Sequence, residues 1–328
     1  MKVLVLGGAG MVGRKLAERL ARDGKLGDQP ITSLTLYDVV SPQKPAGAGF
    51  PVETLTGDLP ATGETDRLVA SKPDVIFHLA AIVSGEAEQE FEKGYRINLL
   101  GTMNLLESIR RAYDGAPRKP RLVFTSSIAV FGAPFPAKIP DDFFTTPLTS
   151  YGTQKAIGEL LLADYTRKGM LDGVGIRLPT ICVRPGKPNK AASGFFSNIM
   201  REPLAGQEAV LPVSDSVMHW HASPRAAVGF LLHAATIDGG RLGPRRNLSM
   251  PGLAVTVGGQ IEALRKVAGD KVVARIKRVP DPFVEQIVAG WPRDFDTRRA
   301  IELGFQAEAS FEDIIRVHIE DELGGRIA

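Results

Sequence analysis

VLVLGGAGMVG, residues 3–13, runs from four apolar residues straight into a cluster of glycines. Gly7, Gly10 and Gly13 are spaced three apart within it. An apolar run of this length, closed by glycine, suits a buried strand. Residues 11–24, MVGRKLAERLARDG, read as a helix ended near Gly24. The stretch is thus a strand, a tight glycine turn and a helix in immediate succession, the opening of a parallel βαβ unit.

The alternation continues outward from it. Residues 33–38, 51–58, 74–81, 121–127 and 174–181 read as further apolar strands. Between them, residues 65–73 read as a short helix. Residues 90–114 read as a long helical region interrupted near Gly101, and a third helix begins at Ser150 and runs to about Lys168. Apolar strands alternating with helices predict an α/β fold, a doubly wound parallel sheet covered on both faces. Past Pro179 the pattern becomes short, irregular and rich in Pro and Gly. The expected organisation is a dinucleotide-binding domain over residues 1–178 and a smaller lobe, mainly for substrate, over 179–328. Ser223 followed by Pro224 signals a helix start, and the helix near 223–237 is expected to return to the first domain and complete it.

Composition narrows the function classes. The 328 residues are 44% apolar and 23% charged, with net charge +3 and one cysteine. The absence of a long basic run argues against nucleic acid. No apolar stretch has the length of a membrane span, and no signal peptide is recognised. A lone Cys182, inside the apolar run TICV, fits a buried inert thiol and a reducing cytoplasm.

Glycines at the spacing of Gly7, Gly10 and Gly13 let the backbone approach a pyrophosphate, whose charge meets the helix N-terminus. Met11 and Val12 open that helix and join Gly7 and Gly10 as expected contacts. Asp38 ends the second strand. A carboxylate there can accept from both ribose hydroxyls and repels a 2'-phosphate, which favours NAD over NADP; the lesser reading is a turn aspartate before SPQKP.

SYGTQKA, residues 150–156, sets Tyr151 and Lys155 one turn apart on one helix face. An ammonium beside a phenol is expected to lower the phenol's pKa toward the range of a general base. The strand ending in Thr125, Ser126 and Ser127 offers a hydroxyl to hold a substrate oxygen.

Taken together, GxxGxxG at Gly7 to Gly13, the strand-end Asp38, GDL at 57–59, HLAA at 78–81, NLLGTMNLLES at 98–108, TSSIAVFG at 125–132 and YxxxK at Tyr151 and Lys155 resemble the extended short-chain dehydrogenase/reductases. That branch includes nucleotide-sugar epimerases. The resemblance implies Tyr151 as acid/base, Lys155 as tuner of Tyr151 and ribose contact, and Ser127, with Ser126 beside it, on the reacting oxygen. It also implies Asp58 and Leu59 against adenine, Ala80 and Ala81 near ribose and phosphates, and Pro179 and Thr180 near nicotinamide. Asn98 either frames the cofactor site or is a packing amide. The family further implies a homodimer built from the helices at 98–108 and 151–165.

Two departures bear on the substrate. Val217 stands where nucleotide-sugar enzymes of the family carry an arginine for pyrophosphate, and ICVRPGKPN replaces their VYGP turn. A small anionic substrate is therefore expected, with Arg184, Lys187, His219 and His221 nearby; a guanidinium fork suits a carboxylate. The whole chain, and especially residues 177–204, resembles the D-erythronate dehydrogenases of this family, which implies NAD-dependent oxidation of the 2-hydroxyl of a four-carbon sugar acid. Ser193 and Asn198 either line the substrate pocket or are bystanders, while Phe195 and Phe196 are read as core. His219 and His221 share a strand face, but with no third ligand evident no metal is expected. A nucleotide-sugar epimerase or dehydratase that retains its NAD is the alternative activity. A silent dinucleotide sensor is disfavoured by the presence of both Tyr151 and Lys155.

Overall fold

A computed structural model describes residues 1–186 and 193–328 of the chain. In chain order the elements that build the main sheet and its cover are β1 (Lys2–Leu6), α1 (Met11–Asp23), β2 (Ser33–Asp38), β3 (Val52–Thr56), α2 (Glu64–Val69), β4 (Val75–His78), α3 (Gly101–Ala112), β5 (Arg121–Ser127), α4 (Ser150–Arg167) and β6 (Asp172–Leu178). They are followed by β7 (Thr180–Ile181), α5 (Gly194–Leu204), β8 (Met218–Ala222), α6 (Pro224–Thr236), β9 (Asn247–Ser249) and β10 (Leu253–Thr256).

Seven strands form one sheet in the order β9-β6-β5-β4-β1-β2-β3, every neighbouring pair parallel. This is the doubly wound α/β sheet the alternation predicts. The strand order reverses between β1 and β4, and in such sheets a ligand crevice opens there, outside the carboxyl ends of the strands. Side chains alternate between the two faces. Val3, Val5, Leu34, Leu36 and Val123 join one core with Leu16 and Leu20 of α1 and Phe230 and Leu231 of α6. Leu4, Leu6, Ile76, Leu122 and Phe124 join the other with Leu105 and Ile109 of α3 and Leu162 of α4. Strands apolar at every position are the result.

Helix ends follow local chemistry. Gly24, at φ +66°, terminates α1. The Thr149 hydroxyl accepts from the Gly152 N–H at 3.1 Å and caps α4. The Ser223 hydroxyl accepts from the Ala226 N–H at 2.9 Å, with Pro224 at the first position of α6. The interruption expected near Gly101 is a π-helical run, Tyr95–Leu100, immediately before it.

Two strand expectations change. The segment read as one strand over 174–181 divides at Pro179. Its first part is β6, while β7 leaves the main sheet and pairs with β8, which also pairs antiparallel with β10. Proline has no N–H for the ladder, so the strand stops there. The seventh strand, β9, has no counterpart among the sequence-predicted strands. It pairs with β6 so closely that a Cβ on Gly175 would lie 1.9 Å from Asn247 Oδ1.

Beyond β7 a third core gathers Cys182, Phe195, Phe196, Ile199, Val257, Ile261 and Ile314. Phe195 and Phe196 are therefore core, as read from sequence. Cys182 is fully buried, and burial pushes its thiol up to about 12, as an inert thiol requires. No helix among the described residues is long and apolar enough to cross a membrane.

Candidate active site

The glycine turn is shaped by close approach. Gly7 sits at φ +90°, and a Cβ on it would lie 2.8 Å from the backbone nitrogen of Ala80. A Cβ on Gly13 would lie 2.1 Å from the carbonyl oxygen of Gly7. Neither position has room for a side chain. α1 starts with no side-chain cap at Gly10 and no acidic residue in its first turn. Its free N–H groups therefore face the sheet's carboxyl edge uncompensated, which suits an anion. Met11 and Val12 stand half-buried at this mouth. The Asp38 carboxylate accepts from the N–H groups of Ala9 and Val39, at 2.9 and 2.7 Å, tying the end of β2 to the glycine turn.

Asp58 is partly exposed and paired with Arg96 at 2.5 Å. Leu59 is a core side chain, packed with Leu4, Leu6 and Tyr37. Any contact it makes with a ligand above the sheet falls to its backbone. Ala80 and Ala81 lie half-buried on the loop that leaves β4.

Asn98, buried in the π-helical run, holds that loop. Its Oδ1 accepts from the Ile82 N–H at 2.9 Å; its Nδ2 donates to the Ile82 carbonyl at 3.2 Å and to Gln154 Oε1 at 2.8 Å. These bonds are those of a packing amide, and they tie the loop that leaves β4 to α4. Gln154, one turn beyond Tyr151, was missed. Its signal was a polar residue three positions after Tyr151, one turn along the same side of α4.

Ser127, Tyr151 and Lys155 meet at the end of β5. Ser127 neighbours Tyr151 and accepts from the Ala129 N–H at 3.1 Å. Lys155 is buried, with Nζ 2.8 Å from the Thr125 carbonyl oxygen and 5.7 Å from the ring centre of Tyr151. The expected lowering of the phenol by Lys155 is not found. The protein packed around the hydroxyl pushes Tyr151 up to about 12, and only the neighbouring Ser127 hydroxyl opposes this. Lys155 has spent a proton on Thr125 and is itself pushed down to about 8 by burial.

Ser126 does not join this group. Strand alternation turns it toward α4, where it donates to Glu159 Oε1 at 2.6 Å. Glu159 is in turn held by Arg177 in a buried bidentate pair at 2.9 and 2.7 Å. Glu88, also missed, reaches the start of α4 and accepts from the Ser150 N–H at 2.9 Å. It lies 62 residues from Ser150, so no local pattern marked it.

Pro179 is buried and Thr180 half-buried. The Thr180 hydroxyl lies 2.7 Å from His219 Nε2. His219 and His221 share a face of β8 and are buried, with burial pushing His219 down to about 4 and His221 well below its ordinary value. Among the described residues no cluster of His, Cys, Asp and Glu could hold a metal ion.

Arg184 is half-buried. Its Nη2 donates to Ser193 Oγ at 2.9 Å, its N–H donates to Ser197 Oγ, and its carbonyl oxygen accepts from Arg201. No carboxylate among the described residues pairs with it. Asn198 is turned to Arg201, whose Nη2 it accepts at 2.8 Å. Ser193 is thus brought to Arg184, whereas the Asn198 side chain is engaged with Arg201. Lys187 lies outside the described residues.

A family model described as the NAD dependent epimerase/dehydratase family matches residues 3–223. The chain belongs to this family. It is an NAD-dependent enzyme of the extended short-chain dehydrogenase/reductase type. Among curated relatives, a D-erythronate dehydrogenase of Cupriavidus necator is 47% identical over 325 residues, 98% of either chain. A second D-erythronate dehydrogenase, of Haemophilus influenzae, is 42% identical over 320 residues, 98% of this chain and 99% of its own. A crystal structure described as a nucleoside-diphosphate-sugar epimerase from Agrobacterium tumefaciens is 65% identical, with TM-score 0.98, covering 100% of this chain and 96% of that one. The cofactor of this epimerase/dehydratase family member is NAD. The cradle without room for a Cβ at Gly7 and Gly13, and the uncapped start of α1, fit its pyrophosphate.

Proposed function

We propose that the chain oxidises D-erythronate to 2-dehydro-D-erythronate with NAD. The observation that carries a small acid as substrate is Arg184, a half-buried guanidinium with no carboxylate partner among the described residues. Burial holds it below its ordinary value, a cost that an incoming carboxylate relieves. Val217, in place of a pyrophosphate-binding arginine, and the two relatives called D-erythronate dehydrogenase support the same reading.

In this reading Gly7, Gly10, Met11 and Val12 take the pyrophosphate and Asp38 the adenine-side ribose hydroxyls. Asp58 and the Leu59 backbone border adenine, Ala80 and Ala81 the ribose and phosphates, and Pro179 and Thr180 the nicotinamide. Asn98 fixes the loop that Ala80 and Ala81 occupy. Bound NAD supplies the hydride acceptor and a positive ring charge. Arg184, with Ser193, orients the substrate carboxylate. Ser127 and Tyr151 hold the oxygen at C2. Tyr151, as phenolate, takes the hydroxyl proton as the C2 hydride departs, so the C2–O bond becomes a carbonyl. Lys155 supports the phenolate and touches the nicotinamide-side ribose. We further propose a cytoplasmic homodimer: Leu100, Met103 and Leu160 are exposed apolar side chains beside and on the helices expected to pair.

A second reading, a nucleotide-sugar epimerase or dehydratase that retains NAD, is supported by the name of the Agrobacterium tumefaciens structure. A screen of four- to six-carbon aldonic acids with NAD, followed by NADH absorbance, separates the two. NADH accumulating on D-erythronate is the expected result. Tightly retained NAD, no NADH on any acid and turnover of a nucleotide-sugar would overturn it.

A further inference from the structure

Thr180 and His219 share one hydrogen bond whose direction the surroundings decide. His219 Nδ1 lies 2.9 Å from the carbonyl oxygen of Pro292, and Nε2 lies 2.7 Å from Thr180 Oγ1. A carbonyl oxygen only accepts, so Nδ1 carries the proton of the neutral ring. Nε2 is then a lone pair, and the Thr180 hydroxyl must donate to it. The hydrogen of Thr180 is committed, and its oxygen is left with acceptor capacity alone.

The imidazole has little freedom to release it. Phe196 stacks on His219 with centroids 5.2 Å apart and an interplanar angle of 4°. Trp291 lies 5.2 Å away and His221 stands edge-on at 5.4 Å. The ring is 3% exposed. Thr180 itself begins β7, just after Pro179 ends the main sheet, and is half-buried.

We propose that His219 is a positioning residue that makes Thr180 a dedicated hydrogen-bond acceptor, so that the site selects a ligand presenting an N–H or O–H at that point. The inference rests on the dehydrogenase reading above. Two groups carry such a donor: the carboxamide of nicotinamide and a hydroxyl of the sugar acid. A device that leaves the threonine hydrogen free would accept a donor and an acceptor alike; this one penalises an acceptor.

Three variants of the full chain test it. His219→Phe keeps an aromatic ring between Phe196 and Trp291 but frees the Thr180 hydroxyl. Thr180→Val removes the acceptor and leaves His219 in place. Thr180→Ser keeps both oxygen and hydrogen. Calorimetric titration compares NAD with its acetylpyridine analogue, in which a methyl ketone replaces the amide and no N–H remains; the KM for D-erythronate is measured alongside. If the carboxamide is the donor, Thr180→Val weakens NAD about tenfold and leaves the analogue unmoved, whereas His219→Phe leaves NAD within about twofold and tightens the analogue, whose ketone oxygen can now accept from the freed Thr180 hydroxyl. If the donor is a substrate hydroxyl, both dinucleotides bind as before in both variants and Thr180→Val raises the KM by a similar factor. Thr180→Ser matches the unaltered protein in either case. NAD and analogue weakened in parallel indicates a merely structural role and overturns the proposal, as does no change in either variant. Should His219→Phe fail to fold, Thr180→Val decides alone. NADH formation by the unaltered protein on D-erythronate tests the underlying reading separately, since calorimetry with NAD does not depend on it.

Discussion

Lys155 directs its ammonium at the carbonyl oxygen of Thr125, 2.8 Å away, and not at the hydroxyl of Tyr151. The phenol thus starts from a high pKa, about 12, set by burial. Below that value the phenolate fraction rises tenfold per pH unit. Oxidation measured as kcat/KM should therefore climb between about pH 6 and pH 9. Tyr151→Phe should lower kcat by about 10²–10⁴ while NAD affinity by calorimetry stays within about twofold. A Tyr151→Phe enzyme with full turnover contradicts the assignment of Tyr151.

Arg184→Met should raise the KM for the sugar acid about a hundredfold, the scale of a lost buried charge pair, with NAD affinity unchanged. Arg184→Lys should recover little, because an ammonium cannot reproduce the fork. Initial rates on the acid and on its uncharged amide distinguish this from general damage. The variant should lose the preference for the acid, and a preserved preference would remove Arg184 from the substrate site.

Asn98→Ala deletes three hydrogen bonds that hold Ile82 and Gln154. Leaving buried partners unsatisfied costs about 1–3 kcal/mol each at most. The expected result is a lower urea midpoint together with NAD binding weakened about tenfold, since the loop bearing Ala80 and Ala81 loses its tether. Unchanged NAD affinity in the folded variant would show that the loop holds its place without Asn98.

His318 is buried with no partner on either ring nitrogen among the described residues. Burial pushes it down to about 4, as it does His219. Both rings are neutral in the fold and protonate near 6.5 in the unfolded chain. Between about pH 4 and pH 6.5 the unfolded state binds more protons, so stability rises with pH across that window and is lost on acidification. His318→Leu should flatten this slope in urea midpoints and gain about 1 kcal/mol near pH 5. An identical slope in the variant would assign the acid sensitivity elsewhere.

What could be read without coordinates was what local chemistry determines. Gly7, Gly10 and Gly13 follow an apolar run and open an amphipathic helix, so strand, turn and helix were all legible. Residues 33–38 and 121–127 coincide with β2 and β5 because glycine, proline or polar residues bound them. β9 was not legible: three residues carry no period, and pairing with Gly175 is non-local. Spacing put Tyr151 and Lys155 on one helix face, yet it says nothing of where a flexible ammonium points. Adjacent serines at a strand end read alike, and only the pleat sends Ser126 to Glu159 and leaves Ser127 to Tyr151. Nor could spacing foresee that Asn98 reaches Gln154, 56 positions away.

The distance along the chain between β6 and β9 sets a schedule for biosynthesis. Ser249 is residue 249 of 328, so a ribosome completes β6 long before its outer neighbour exists. During that interval the amides flanking Gly175 have no mate, and a nascent edge of this kind can recruit a strand from another polypeptide. An early stop codon after residue 178 would make that interval permanent and yield an aggregating fragment rather than a free-standing nucleotide-binding half.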